Sequence, residues 1–300
     1  MERNLKNAVL LVGNDINNAT AGYSWKDLLE DLMSFMQLKR VRNMENKPFP
    51  LFYEEIFLAT AVKGNSDEYG VKKFIAEKVM QLQPNSIHEQ ILELGCENIL
   101  TTNYDNTFEK LTTKKKFPNK GVVKESLYNV FRWFDLGGSK LWHIHGSGYT
   151  PRSVILGYEH YSGYLHFIRN YVVTGADDTY KNQDFKSVIR QIKKQEVIHR
   201  SWVDLFFTND VYIFGLNLDF AEMHLWWLLT YRARCIHKDK MPINNRIFYF
   251  YPRKFEKASQ HKLDMFRSTG VITVPASYAE NSREKYYGRV MEKIKAQINE

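Results

Sequence analysis

The chain predicts an α/β fold built on a largely parallel sheet, and three observations carry that prediction. Short apolar and β-branched runs alternate with segments of helical period from one end to the other. Several of these runs, Ala8 to Val12 and Val211 to Phe214 above all, are apolar on both faces, as strands buried inside a parallel sheet are. The runs end in turns of glycine, asparagine or aspartate before a helical pattern opens. In open α/β sheets that carboxyl edge is where ligands bind.

Taken in order, Ala8-Val9-Leu10-Leu11-Val12 reads as the first strand, and Gly13 to Ala19 as a tight polar turn. Ser24 reads as the N-cap of a helix carrying Leu28, Leu29, Leu32, Met33 and Met36, with Asp27 at the capping-box position. Strand, polar turn and helix at the chain start form a nucleotide-binding layout, in which backbone N–H groups hold a pyrophosphate. An ordinary βα turn reads the same way, and neither Gly-x-Gly-x-x-Gly nor a Lys-bearing phosphate loop is present. From about 50 to 94 the pattern is helical, with Phe52, Ile56, Phe57 and Ala59 on one stripe and Val71, Phe74, Ile75 and Val79 on another. This segment reads as a helical insertion, its last helix capped by Ser86 with Glu89 three residues on.

Ile99 to Thr102 is a strand that ends in Asn103-Tyr104-Asp105, and a helical pattern with Phe108 and Leu111 follows at once. Two readings of this junction stand. Either Asn103 and Asp105 point into a crevice, or Asn103 caps the next helix and Asp105 supports its first turn. Val122-Val123 and Leu127 to Phe131 read as short strands. Lys140 to Gly148 reads as a strand running into a Gly-rich loop, with Leu141, His143 and His145 on one face. His145 sits at the carboxyl end, beside glycines that let a ligand come close. His143, two residues deeper, reads as a buried, hydrogen-bonded histidine. No carboxylate or cysteine lies near this His-x-His pair in sequence, which argues against a metal there.

Val154 to Tyr161 reads as a further strand and turn, and 164–207 as a second helical insertion broken at Gly175-Ala176-Asp177-Asp178. Val211 to Gly215 is a buried strand, followed by a helix from Glu222 to Arg232 with Asp219 as N-cap and Glu222 at the capping-box position. Arg246 to Pro252 and Val271 to Val274 are the last strands, with helices around Lys254 to Met265 and at the end.

With 300 residues and 44% hydrophobic content the chain can bury a large core. Its net charge of +8 suits an anionic ligand. The densest basic run, Thr112-Thr113-Lys114-Lys115-Lys116, reads as a solvated helix end or loop before it reads as a nucleic-acid contact. Two cysteines, Cys96 and Cys235, cannot build a four-thiolate zinc site, and two distant thiols fit a reducing cytoplasm. The apolar run Ala8 to Val12 is too short for a secretory leader, and no stretch has the length to span a bilayer.

Gly13-Asn14-Asp15-Ile16-Asn17, Thr101-Thr102-Asn103-Tyr104-Asp105, His145-Gly146-Ser147 and Gly215-Leu216-Asn217-Leu218-Asp219 form a set, each ending a strand. In order and spacing the set resembles the sirtuin fold, and more closely its bacterial SIR2-like branch found in antiphage defence. The resemblance covers most of the chain and implies one domain over 1–300: a Rossmann-like sheet with helices on both faces, a smaller helical module, and NAD as substrate. In sirtuins a Gly-Ala-Gly-Ile-Ser turn holds the pyrophosphate, and its positions fall on Gly13, Asn14, Asp15, Ile16 and Asn17. Asp15 stands where the family has glycine, and a carboxylate there opposes phosphate binding. The family's Thr-Gln-Asn-Ile-Asp motif puts an asparagine by the nicotinamide ribose and an aspartate on the carboxamide, roles that fall on Asn103 and Asp105, with Thr102 in place of glutamine. The family's catalytic histidine precedes a glycine and matches His145. Gly215 and Asn217 match the Gly-x-Ser turn beside the adenosine ribose. The missing zinc ribbon argues against protein deacetylation.

What the resemblance leaves is cleavage of the nicotinamide–ribose bond, an NAD+ glycohydrolase with no metal. Three alternatives accompany it: a non-catalytic sensor or scaffold for NAD or ADP-ribose, an ADP-ribosyltransferase, and, ranked last, a nucleic-acid-associated protein. Relatives suggest a homo-oligomer or an activating partner chain.

Overall fold

The computed structural model describes residues 2–19, 25–38, 47–62, 64, 67–113, 119–176, 180, 185–278 and 282–299. The expected cap at Ser24, the basic run Lys114 to Lys116 and the break at Asp177-Asp178 lie outside them.

α1 (Glu2–Asn7) runs into β1 (Ala8–Val12), all five of whose residues are buried, and a 3₁₀ turn follows at Asn14–Ala19. Four helices come next: α2 (Trp25–Phe35), α3 (Phe49–Ala61), α4 (Glu68–Val79) and α5 (Ser86–Glu93). β2 (Asn98–Thr101) and the short α6 (Thr107–Lys110) lead to β3 (Asn119–Gly121), β4 (Arg132–Asp135) and β5 (Lys140–His143). Three helices, α7 (Tyr158–Val173), α8 (Val188–Lys194) and α9 (Trp202–Thr208), return the chain to β6 (Asp210–Phe214). α10 (Met223–His237), β7 (Ile247–Pro252), α11 (Gln260–Ser268), β8 (Ile272–Ala276) and α12 (Arg283–Asn299) complete it.

The strands form one sheet in the order β3-β4-β5-β2-β1-β6-β7-β8. The six from β5 to β8 are parallel, and β4 and β3 add an antiparallel edge. Leu10 of central β1 lies opposite Ile99 of β2 and Tyr212 of β6. Alternation then sorts the strand side chains into two cores. Val9, Leu11, Leu100, Trp142, Val211 and Ile213 pack against α7 to α11 on one face. Leu10, Val12, Ile99, Leu141, Tyr212 and Phe214 pack against α5 and α12 on the other. This is the α/β sheet covered on both faces that the apolar strands predicted.

A third core lies off the sheet. Leu28, Leu32 and Met33 of α2 meet Phe52 and Ile56 of α3 and Val71 and Ile75 of α4. The helical module thus draws in α2, while α5, at the end of the expected 50–94 insertion, gives Ile87 and Ile91 to the sheet. Residues of the expected 164–207 insertion, Tyr164, Ile168, Val188 and Phe206 among them, likewise lie in the core of the sheet. Among the described residues no helix is long and apolar enough to cross a membrane.

Several local expectations are corrected. Val122-Val123 and Leu127 to Phe131 are not strands. The carboxylate of Glu125 accepts the N–H groups of Val130 and Phe131, which removes those donors from any ladder. Tyr158 to Tyr161 is the first turn of α7, because the ring of His160 accepts the N–H of Gly157 and starts a helix there. Asn85, not Ser86, caps α5: its Oδ1 accepts the N–H of Ile87, while the Ser86 hydroxyl donates to Glu284. α10 begins at Met223, and Asp219 instead closes a turn by accepting the N–H of Ala221. The expected helix from Lys254 is a 3₁₀ turn at Arg253–Phe255 followed by α11.

Candidate active site

The turns after β1 and β6 are stitched together by their backbones. Gly13 N–H donates to Phe214 O at 3.1 Å and Asp15 N–H to Gly215 O at 3.0 Å. Gly13 is required by contact: a Cβ there would lie 2.4 Å from Gly215 O and 2.6 Å from Leu216 Cα. Asp15 turns its carboxylate toward α12, where Arg283 Nε lies 3.1 Å from Oδ1 and the Tyr287 hydroxyl donates to Oδ2 at 2.7 Å. A cation therefore meets the charge that the sequence set against phosphate.

Behind this turn runs a buried polar chain. Asn17 Nδ2 donates to Asn14 Oδ1 and to Asp105 Oδ2, each at 2.8 Å. Burial pushes the His88 pKa down to about 4, so its ring is neutral, and its Nε2 lies 3.0 Å from Asn17 Oδ1. Asp105 Oδ1 also accepts the N–H and hydroxyl of Thr107 at the start of α6. Both oxygens of Asp105 are thus engaged by the protein, and Asp105 and Asn17 lock the β1 turn to the end of β2.

At that end, Asn103 N–H donates to Thr101 Oγ1, and Asn103 O faces His143 Nδ1 at 2.7 Å. The other nitrogen of His143 lies 3.0 Å from Glu109 Oε1. Burial opposes a charge on His143, but Glu109, helped by Asn103 O and Asp105, outweighs it and raises the pKa. His143 is the buried, hydrogen-bonded histidine its depth in the strand suggested. The side-chain amide of Asn103 is buried, and neither Nδ2 nor Oδ1 has a hydrogen-bond partner among the described residues. A buried polar group left in that state costs about 1–3 kcal/mol, which a ligand able to pair with it would recover.

His145 follows β5 at a turn that only glycine can make. Gly146 has φ +97°, and a Cβ on it would sit 2.2 Å from Ser153 O. His145 Nε2 lies 2.9 Å from His224 Nε2 and 3.3 Å from Glu222 Oε2. The Tyr161 hydroxyl donates to the other oxygen of Glu222 at 3.4 Å. Burial lowers the His145 pKa to about 3 and raises that of Glu222 to about 8, so both groups favour their neutral forms. On the β6 turn, Lys262 Nζ donates to Asn217 O and Oδ1 at 2.9 and 3.0 Å, which fixes the Asn217 side chain.

These turns enclose a cleft of about 420 Å³ at the carboxyl edge of the sheet, closed on the other side by Leu29 of α2, Lys47, and Phe49 and Phe52 of α3. Of the residues singled out in the sequence, Asn14, Asp15, Thr102, His145, Gly215 and Asn217 line it. Gly13, Asn17, Asn103 and Asp105 lie outside that lining, in the packed layer described above. Sequence reasoning missed Glu222 and His224, which it treated as the opening of a helix, as well as Tyr161 and Arg283. Their one signal was the position of Glu222 and His224 just after a strand-end turn.

The His-x-His pair does not converge, since His143 turns to Glu109 and His145 to His224. His145, Glu222 and His224 do come together, with their donor atoms within 4.8 Å of one another.

Residues 97–201 match the family profile of the SIR2-like domain. The matched segment holds Asn103, Asp105 and His145 but neither the β1 turn nor the Gly215–Asp219 turn. No curated protein matches the chain.

Proposed function

We propose that the chain is an NAD+ glycohydrolase that cleaves the nicotinamide–ribose bond to give nicotinamide and ADP-ribose, acting in bacterial antiphage defence. One observation carries the proposal. Four strand-end turns, far apart in sequence, meet at one cleft with His145 in its wall and, next in sequence to Thr102 of that wall, the Asn103 amide, which has no hydrogen-bond partner among the described residues. The SIR2-like match over 97–201 supports NAD as the ligand.

In this reading the backbone of the joined β1 and β6 turns holds the pyrophosphate, with Asn14, Gly215 and Asn217 around the adenosine side. Arg283 keeps the Asp15 carboxylate from opposing it. The C1′–nicotinamide bond breaks with positive charge growing on the ribose, as in glycoside hydrolysis. Nicotinamide leaves neutral, so no acid is needed on that side. The task left to the protein is to activate water near the cationic carbon. His145 is neutral at physiological pH and accepts that proton on Nε2, the nitrogen that lies 3.3 Å from Glu222 Oε2. Asn103, between the cleft residues Thr102 and Tyr104, supplies an amide that pairs with the ribose and the attacking water once a turn of its side chain brings it to the cleft. Asp105 acts through Asn17 and Thr107 as a positioning residue. One well-placed proton acceptor contributes on the order of 10²–10⁴-fold.

The test is loss of NAD+ and appearance of nicotinamide and ADP-ribose with purified protein, beside the His145→Ala variant. Turnover that vanishes in the folded variant is expected. Full turnover in the variant would overturn the assignment of the base. NAD binding without turnover in the wild type would favour a sensor or scaffold.

A further inference from the structure

We propose that His145, Glu222 and His224 form a binding site for a divalent transition-metal ion of the zinc type, open to the cleft on one side. The three donor atoms come from the end of β5 and the start of α10, elements held by the sheet core. His145 Nε2 lies 2.9 Å from His224 Nε2 and 3.3 Å from Glu222 Oε2. A tetrahedral zinc with bonds of roughly 2.0–2.2 Å places neighbouring donors about 3.3–3.6 Å apart. Two of the three donor separations lie within about half an ångström of that spacing, and the third, no more than 4.8 Å, closes to it with a shift of about 1.3 Å or less.

The donors are also free to bind. Tyr161 holds Oε1 of Glu222, while the buried Oε2 has no hydrogen-bond partner among the described residues. His224 is fully buried, and its Nδ1 has no partner either, so nothing at that atom fixes its tautomer. At present one ring donates an Nε2–H to the other. On metal binding each neutral ring carries its single proton on Nδ1, both Nε2 lone pairs face the ion, and Glu222 binds as carboxylate, releasing to solvent any proton it holds. No redox change is involved. Two imidazoles and one carboxylate suit zinc, cobalt or nickel, whereas magnesium and calcium favour all-oxygen sites. His145 and Glu222 line the cleft, so the remaining coordination position faces the space in which a ligand would sit.

A consequence follows that rests on the glycohydrolase reading. The ion occupies the Nε2 lone pair of His145, so an occupied site is an inhibited enzyme. Zinc would hold the activity off until it is withdrawn.

The experiment uses the whole chain after dialysis against chelator, titrated with Zn2+ by calorimetry and with Co2+ by visible absorption, without NAD. One equivalent should bind at micromolar affinity or tighter, with the absorption of a four- or five-coordinate cobalt site. His224→Gln and Glu222→Gln should each weaken binding at least tenfold. Glu222 is the less buried of the two, so its variant keeps the test valid if His224→Gln does not fold. Absence of stoichiometric binding, or equal binding by both folded variants, would overturn the site. Turnover measured against zinc occupancy is a separate arm. Turnover unaffected at full occupancy would overturn the inhibitory role, while absence of turnover in metal-free protein would count against the glycohydrolase reading and leave the binding result standing.

Discussion

Replacing Gly13 by alanine tests the joint on which the cleft is built. The added Cβ would lie 2.4 Å from Gly215 O, 2.6 Å from Leu216 Cα and 2.7 Å from Leu216 Cβ. Ordinary contact begins near 3.4 Å, so the two turns must part by about 0.7–1.0 Å. All three atoms belong to the β6 turn and two are backbone, so a rotamer change cannot relieve the clash. Parting strains the bonds Gly13 N–H to Phe214 O and Asp15 N–H to Gly215 O, now 3.1 and 3.0 Å. Overpacking typically costs about 1–3 kcal/mol, and each weakened hydrogen bond adds about 0.5–1.5 kcal/mol. A loss on the order of 2–4 kcal/mol lowers Tm by roughly 3–6 °C in a chain of this size. Asn14, Asp15, Gly215 and Asn217 all line the cleft, so NAD affinity should fall with it, by about tenfold or more. Thermal melts by circular dichroism and calorimetric titration with NAD measure both effects. Gly138→Ala is the control, since a Cβ there meets nothing within 4 Å. A Gly13→Ala protein with the melting point and NAD affinity of wild type would refute the reasoning.

Asn103→Ala removes an amide with no hydrogen-bond partner among the described residues, so stability should change by less than about 1 kcal/mol while turnover falls on the order of a hundredfold; a large drop in the urea midpoint would contradict this. Arg283→Ala leaves the Asp15 carboxylate to Tyr287 among the described residues. Both partners of the lost pair are about 40% exposed, so NAD affinity should fall only a fewfold, and more at low salt than at high, which titrations at two ionic strengths will read. Burial raises the Glu125 pKa to about 7, above its unfolded value. Its contribution is therefore full below about pH 4.5 and is lost as pH rises through 7, worth at most about 3 kcal/mol. Asp204, raised to about 6 by burial, adds the same sign. Urea unfolding across pH 4.5–8 should show Glu125→Gln losing less stability toward high pH than wild type; parallel curves would refute the assignment.

Much of the fold was legible because its signals are local. Ala8 to Val12 is apolar at every position, and only a strand covered on both faces needs that. The turns at Gly13, Asn103, His145 and Gly215 announced themselves as polar or glycine-rich breaks at strand ends, and the rule that ligands gather at the carboxyl edge made Asn103 and His145 candidates before any contact was known. The sequence could not say which side chains face the cleft and which brace it. Asp105 was assigned to a ligand, but Asn17, 88 residues away, and Thr107 hold both its oxygens. Asp15 looked like an obstacle until the fold brought Arg283 to it across 268 residues. His224 lies 79 residues from His145, on a helix whose start local pattern explained as a cap. Leu127 to Phe131 has strand composition, yet Glu125 takes the donors a ladder would need. Periodicity and turn chemistry act over a few residues and are written in the chain. Charge pairing, burial and the meeting of ligand atoms depend on distances in space, which only the packed sheet sets.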